Sequence, residues 1–294
     1  MKKILPSAEL WVNNSNPAHV ARAARVCYAS EGGKKSPEEL CDELASRGHL
    51  SMFRHASYYY VFQSGNTSDV PACLCVALTN TPFVTCVYYK KKGMDGRIYF
   101  LSTNGQYLND NLKIAKILTP YEVSVDRFVS RALELHFPTA FMCLRYTVCL
   151  TTQISTSREL NRTSPNSIAE QSTRYVNFGR PGRGITICLP HWYDCAHWTK
   201  RLLANVAWKC GEWAYRMALR LGLPPQDARG FLPLDTATRV VYTYSAFEWR
   251  HIFRLRLLGN TGKPHPNAKQ AASLIHEEIL SQHRLFAGPD ASLT

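Results

Sequence analysis

Arginines at 158, 162 and 174 alternate with hydroxyl and amide side chains in RELNRTSPNSIAEQSTRYVNF, residues 158–178. Further guanidinium groups stand at Arg229 in ARGFLP and at Arg250, Arg254 and Arg256 in FEWRHIFRLR. A segment so polar cannot fill a core, so its hydrogen-bonding capacity must be aimed at a partner. The guanidinium fork matches phosphate oxygens and never loses its charge, which suits arginines drawn from separate segments to a phosphate site. Each such bond to a charged group is worth roughly 1.5–3 kcal/mol, so two or three can anchor a nucleotide. Ser172 could be a nucleophile, but no G-x-S-x-G turn surrounds it, and phosphate binding or a backbone cap is the better reading. Glu170 could serve the site or pair with Arg174 at helical spacing. His55, beside the aromatic run HASYYYVF, serves a site or is a satisfied core histidine. On a helix, Arg250 and Arg254 share a face while Arg256 lies about 200° round from Arg254, so the two groups serve different purposes.

Composition bounds the answer. The chain has 294 residues, 45% hydrophobic and 19% charged, which is ordinary for a globular protein with a sizeable core. No apolar run approaches a membrane span, and MKKILPSAELW lacks the pattern of a signal peptide, so a cytoplasmic protein is expected. The ten cysteines are scattered without a C-x-x-C, which fits buried free thiols. His191, Cys195 and His197 form the one tempting metal cluster, but 197 leaves the helical face of the other two and no second ligand pair follows; no metal is expected. A net charge of +13 calls for an anionic partner without choosing among nucleic acid, nucleotides and phosphorylated cofactors. Lys90, Lys91 and Lys92 make the one dense basic run, at a hairpin tip.

The elements that must position these groups follow from spacing. Asn16 is expected to cap a first helix, and SPEELCDELASRG reads as a second with a capping box from Ser36 and Glu39. Residues 71–89 and 97–102 read as strands, joined across KKKGMDG; 106–118 and 120–136 read as helices broken at Pro120. CLRYTVCLTTQIS, residues 143–155, is a strand that delivers the chain to the polar segment. A long helix is expected over 191–221, with an apolar stripe at 195, 198, 202, 206, 210, 213 and 217 that forms core or a subunit interface. A strand over 236–246 and two final helices complete the chain. Strands and helices mix without βαβ alternation, which makes the fold class α+β, with a mixed or antiparallel sheet and long helices. One domain, 1–294, is expected, with 64–140 as an elaboration.

In order along the chain, these patterns resemble the flavin-dependent thymidylate synthases, the ThyX family. That family's signature is R-H-R, seven residues, then S. Here Glu159, Leu160, Arg162, Ser167, Ser172, Arg174 and Tyr175 of ELNRTSPNSIAEQSTRY fall on its pattern. AARVCYAS and RGHLSMFRHASYYYVF resemble its RVCY and GH-x-S-x-x-EH segments. ARGFLPLDTATRVVYTYSAFEWRHIFRLR and GKPHPNAKQAA resemble its ARSVLP to REWRHFF-x-LR stretch and its AHPQ-x-R segment. The likeness spans 1–62 and 145–290 and leaves 64–140 without a counterpart. It implies a homotetramer with sites at subunit interfaces, FAD bound between chains and reduced by NADPH, and transfer of a one-carbon unit from methylenetetrahydrofolate to C5 of dUMP, giving dTMP. By position, Glu159, Arg162, Glu170, Ser172, Arg174, Arg229 and Arg256 would hold dUMP, with Arg256 the catalytic cation that polarises the pyrimidine ring. His55, Ser57, Arg162, Thr163, Ser164, Glu170, Ser245, Phe247 and His251 would approach FAD. The chain departs from the family at Arg54, Thr163, Ser164, Ser245 and Phe247, mostly on the flavin side.

Three functions remain in view. The first is dUMP methylation with flavin and folate. The second is an enzyme on the same scaffold that modifies C5 of another pyrimidine nucleotide, or hydroxymethylates it. The third is a non-catalytic basic protein that binds nucleotides or nucleic acid, the weakest partner of these being nucleic acid.

Overall fold

The computed structural model describes residues 1–12, 15–30, 32–64, 70, 72–79, 81–163, 166–174, 176–179, 184–288 and 292–293. Strands β1 (Lys2–Ile4) and β2 (Ser7–Trp11) lead into α1 (Asn16–Tyr28). The cap of α1 is Ser15, whose hydroxyl accepts from the Ala18 N–H at 3.4 Å, rather than the expected Asn16. The Asn16 amide instead binds the backbone of Ser57, donating to its carbonyl at 3.0 Å and accepting its N–H at 2.7 Å. Helix α2 (Pro37–Ser46) carries the Ser36–Glu39 capping box that its sequence signals.

A 3-10 helix, Leu50–His55, precedes β3 (Tyr58–Ser64). Within the stretch 71–89, expected to be strand, Ala72–Leu78 is helix α3. A short apolar run carries no period that separates helix from strand, and burial of both Cys75 and Leu78, three residues apart, decides for the helix. Strands β4 (Thr85–Tyr89) and β5 (Arg97–Thr103) then pair antiparallel as a hairpin. The two helices expected over 106–136 are divided into α4 (Gly105–Asp110), α5 (Leu112–Leu118) and α6 (Val125–Glu134), with the short strand β6 (Glu122–Val123) between the last two.

The second half runs β7 (Arg145–Gln153), α7 (Ile154–Leu160), β8 (Ile168–Glu170), β9 (Thr186–Cys188), α8 (Trp198–Arg220), α9 (Pro225–Ala228), β10 (Ala237–Ser245), α10 (Ala246–Phe253) and α11 (Pro266–Ala287). One antiparallel sheet has the order β2-β7-β10-β8; a second has the order β4-β5-β3-β6; β1 and β9 pair in parallel. Phe100, Phe128 and Phe141 share one core with Val148, Tyr242, Trp249 and Ile275, so the second sheet packs on the same hydrophobic centre as the first. The fold is α+β, with antiparallel sheets and long helices. Among the described residues, no helix is long and apolar enough to cross a membrane.

Helix α8 differs from expectation in both extent and facing. It starts at Trp198, and its buried residues are Trp208, Tyr215 and Ala218. The stripe expected to be covered is open: Trp198, Leu202, Val206 and Trp213 are exposed, Trp213 to 67%. An apolar stripe on a long helix specifies a covered face without saying which chain covers it.

Candidate functional site

Antiparallel pairing of β8 with β10 sets Glu170 opposite Val240 at the sheet edge. The chain beyond is held by its backbone: the Gln171 N–H donates to the Arg239 carbonyl at 2.8 Å and the Ser172 N–H to the Cys27 carbonyl at 2.9 Å. Arg229 opens a 3-10 turn after α9, and its Nη1 donates to Thr173 Oγ1 at 3.4 Å. Ile154 and Arg158, four apart on α7, supply the facing wall. Together these elements enclose a cleft of about 550 Å³ lined by Arg158, Glu170, Ser172, Thr173 and Arg229, with Leu232–Leu234 at its side. Residues more than fifty positions apart in sequence therefore meet in one concavity.

Glu170 is strongly engaged. Its Oε1 accepts from Ser157 Oγ at 2.7 Å and Thr238 Oγ1 at 3.1 Å, and its Oε2 from Asn161 Nδ2 at 3.1 Å. Tyr242 Oη donates in turn to Asn161 Oδ1 at 2.9 Å. Burial, then the Glu170 charge, push the Cys27 thiol up to about 12 and the Tyr242 phenol well above its usual range, so both stay protonated beside the carboxylate. Strand β8 ends at Glu170, so the helical spacing that would pair it with Arg174 does not apply. Ser172 Oγ accepts from the Arg174 N–H at 3.3 Å, a local turn bond that leaves lone-pair and proton capacity for a ligand. With Arg158 and Arg229 against one carboxylate, the cleft carries a net positive charge and can take an anion.

The other expected nucleotide residues lie outside this cleft within one chain. Arg174 and Arg162 are exposed and do not line it. Arg256 lies in a π-helical turn, Arg254–Leu258, that continues α10; its Nη2 donates to the Glu159 carbonyl at 2.9 Å and its Nη1 faces Glu159 Oε1 at 3.4 Å. Glu159 follows Arg158 on α7 and so points about 100° away from the cleft wall. Single π turns recur at functional sites because they re-aim side chains. Arg254 is exposed, whereas Arg256 is paired inside the chain.

The flavin positions divide into closed and open groups. His55 is fully buried and shares a hydrogen bond between Nδ1 and Thr243 Oγ1 at 2.8 Å, while Nε2 has no partner. Burial, then Arg145, His19 and Arg54, lower its pKa to about 3, so it is neutral. Ser245 is fully buried, caps α10 in a box with Glu248, and accepts from Thr85 Oγ1 of the second sheet at 2.7 Å. Thr163 is buried and donates to the Leu160 carbonyl at 2.7 Å. Ser57 Oγ accepts from Arg145 Nε at 3.2 Å. The side chains of His55, Ser245 and Thr163 are buried and spent within the fold, whereas Ser57, bonded to Arg145, is only partly covered. Phe247, His251 and Arg162 are exposed, Phe247 to 61%. Of the positions that the family likeness assigns to flavin, these three remain open: an aromatic face, an imidazole four residues on, and a guanidinium. Ser164 and Tyr175 lie outside the described residues.

The two histidines among the metal candidates have other partners, and Cys195 is a free, exposed thiol. His191 Nδ1 and Asn267 Oδ1 lie 3.0 Å apart, and His197 Nδ1 lies 3.0 Å from Thr199 Oγ1. Among the described residues, no three His, Cys, Asp or Glu side chains cluster for a metal ion.

Three positioning residues were missed in the sequence. Arg145, buried in β7, donates to Ser57 Oγ, to the Arg54 carbonyl at 3.1 Å and to the Thr243 carbonyl at 3.4 Å, and faces Glu248 at 3.9 Å. A lone arginine inside the apolar strand CLRYTVCL was the available signal, since a buried cation demands partners. Asn161 links Glu170 to Tyr242 and has no sequence signature; Asn16, read in the sequence as a helix cap, fixes Ser57 instead.

A family model described as thymidylate synthase complementing protein matches residues 100–283, more than half of the chain. The chain belongs to that family. The match begins at Phe100, inside the stretch 64–140 that the signature motifs leave without a counterpart. A flavin-dependent thymidylate synthase from Geobacter sulfurreducens is 32% identical over 100 residues, which is 34% of this chain and 42% of that protein. The chain thus spans less than half the length of the curated relative it matches. Two solved structures of a UMP/dUMP methylase, PolB from Streptomyces cacaoi, bear a loose likeness. The one bound with 5-Br dUMP is 16% identical with a TM-score of 0.44, over 97% of this chain and 93% of that chain. The one bound with 5-Br UMP is 15% identical with a TM-score of 0.45, over 98% and 96%.

Proposed function

We propose that this member of the thymidylate synthase complementing family methylates dUMP to dTMP, taking a one-carbon unit from methylenetetrahydrofolate with reduced FAD. The observation that carries the reading is the convergence of Arg229, Ser172 and Glu170 on one cleft of net positive charge. In it, Arg229 and Ser172 bind the 5′-phosphate, with Arg158 at the wall and Arg174 at the mouth. Glu170, held by three donors, accepts from a sugar hydroxyl, which places the base at the open end.

Arg256 completes the site from a second copy. The apolar face of α8 supports this: Leu203 is exposed to 71% and Trp213 to 67%, beside Phe231 and Leu234 at the cleft's edge. Gly211 lets α8 approach that edge, since a Cβ there would come within 2.9 Å of Pro233 Cγ and 3.1 Å of the Phe231 carbonyl. Covering this face joins a neighbour to the rim of the cleft, and a homotetramer with shared sites is the assembly we assign. On this reading the chain is one domain, with 64–140 an elaboration that supplies most of the second sheet and, through Thr85, bonds Ser245.

Uracil C5 is a weak nucleophile. A guanidinium at the ring oxygens stabilises the negative charge that develops as C5 attacks the methylene carbon; the bonds from that carbon to the folate nitrogens break, the nitrogens keeping the electron pairs, and the C5 proton leaves to solvent. Arg162, Phe247 and His251 would hold FAD, which, when bound and reduced by NADPH, would supply the hydride that takes the transferred carbon to the methyl level. Release of tritium from C5-labelled dUMP, dependent on methylenetetrahydrofolate and NADPH, tests the proposal. No release from folded, flavin-loaded protein would end it.

A second reading has one observation in its favour. His55, Thr163 and Ser245 are closed off by the fold, which changes the flavin side more than the nucleotide side. That favours a related reaction at C5 of another pyrimidine nucleotide, or hydroxymethylation. Turnover of dCMP without turnover of dUMP, or a hydroxymethyl product, would select it.

A further inference from the structure

Gly259 ends the π turn with a left-handed φ of 76°, and the chain folds back to the start of α11. The reversal leaves a second cleft of about 530 Å³, which begins one residue past Arg256 and shares no residue with the Glu170–Arg229 cleft. Leu257, Leu258, Pro264 and Pro266 make its walls apolar. Lys263 and Lys269 stand among them, and neither has an ion-pair partner among the described residues. No described acidic side chain lines the cleft. Gln270 also lines it, and its Oε1 has no solvent exposure and no hydrogen-bond partner. A buried amide oxygen left without a donor costs free energy, so a ligand that brings an N–H is favoured there.

We infer that this cleft binds an anionic aromatic acyl-amino acid. A planar ring lies against Leu257, Leu258 and Pro264; the amide N–H beyond it donates to Gln270 Oε1; the carboxylates reach Lys263 and Lys269. The three requirements together, ring, amide and acid, are met by a p-aminobenzoyl-glutamate unit, the tail of the folate co-substrate. The assignment rests on the folate half of the proposed function. It gives the co-substrate a second foothold, anchored away from the reacting carbon and close to Arg256 in the chain.

The test is calorimetric titration of the protein with p-aminobenzoyl-glutamate, before and after Lys263→Glu and Lys269→Glu together. Neither lysine belongs to the nucleotide cleft, and both are exposed, so the variant keeps its fold and its dUMP affinity. Saturable binding that weakens at least about tenfold in the double variant, and weakens further as salt is raised, supports the site. Gln270→Leu should weaken the fragment without altering that salt dependence. Equal affinity in wild type and double variant, or no saturation by about 1 mM fragment, overturns the inference. The two proposals fail separately. Normal dUMP turnover with an unchanged folate KM in the double variant removes the cleft and leaves the function. Lysine-dependent fragment binding by a protein that never turns over dUMP keeps the cleft and removes the function.

Discussion

Arg256 donates to the Glu159 carbonyl oxygen at 2.9 Å and faces the Glu159 carboxylate at 3.4 Å, so the guanidinium assigned to the pyrimidine ring is fixed against the last turn of α7. The same helix presents Arg158 to the nucleotide cleft on an adjoining face. One short helix therefore links the two arginine sets.

Arg256→Lys keeps a positive charge but loses the planar fork and both contacts to Glu159. Tritium release from C5-labelled dUMP should fall about a hundredfold or more, the scale of losing one group that stabilises developing charge. A rate within a few-fold of wild type would remove Arg256 from the mechanism.

Charge placed on the open face of α8 should break the assembly. Leu203→Glu with Trp213→Glu is expected to yield a smaller species by light scattering and to abolish turnover together with the tetramer. Neither side chain is buried in the protomer, so its fold should persist by circular dichroism. An unchanged mass would show that this face is not the contact between copies.

Ser245 and Phe247 should respond oppositely, although both lie at flavin positions. Ser245→Ala removes the α10 cap and the acceptor for Thr85, and should cost about 1–2 kcal/mol in denaturant unfolding with little change in flavin content. Phe247→Ala leaves stability unchanged and lowers the ratio of flavin to protein absorbance. A loss of flavin in the serine variant alone would reverse these roles.

That part of the polar run meets Arg229 in a cleft was legible in the sequence, because guanidinium and hydroxyl side chains in such a run have no use in a core. Glu170, Ser172 and Arg229 do share a cleft. What the sequence could not carry is which chain face meets which. Arg256 and Arg229 read alike, yet one is paired with Glu159 while the other lines the cleft. Likewise, the stripe on α8 declares that it must be covered, but Trp208 and Tyr215 take the core while Trp198 and Trp213 do not. At 72–78 a short apolar run had no period to distinguish helix from strand. Ser245 was taken from the family signature alone, and its bond from Thr85 comes from 64–140, which the signature does not include; His55, open to either reading in the sequence, is buried against Thr243 of β10.

Acid should destabilise the fold through its buried histidines. Burial lowers His55 to about 3 and, with Arg22 near His19, lowers His19 and His283 to about 4, against an ordinary value near 6.5. Between those values the unfolded chain binds more protons than the folded one, so stability rises with pH there and is lost as pH falls below about 6.5. The melting temperature should decline steadily from pH 7 to about 4. His283→Gln, which can still bond Tyr146, should make that decline shallower; equal slopes for variant and wild type would contradict the assignment.

The most direct test of the nucleotide cleft is calorimetric titration of dUMP into wild type and Arg229→Ala. Arg229 is exposed and bonds only Thr173 Oγ1 among the described residues, so its loss should leave the fold intact. The account predicts saturable dUMP binding, weakened at least about tenfold in the variant, with uridine lacking the phosphate binding both proteins equally poorly. Equal dUMP affinity in the two proteins would contradict it.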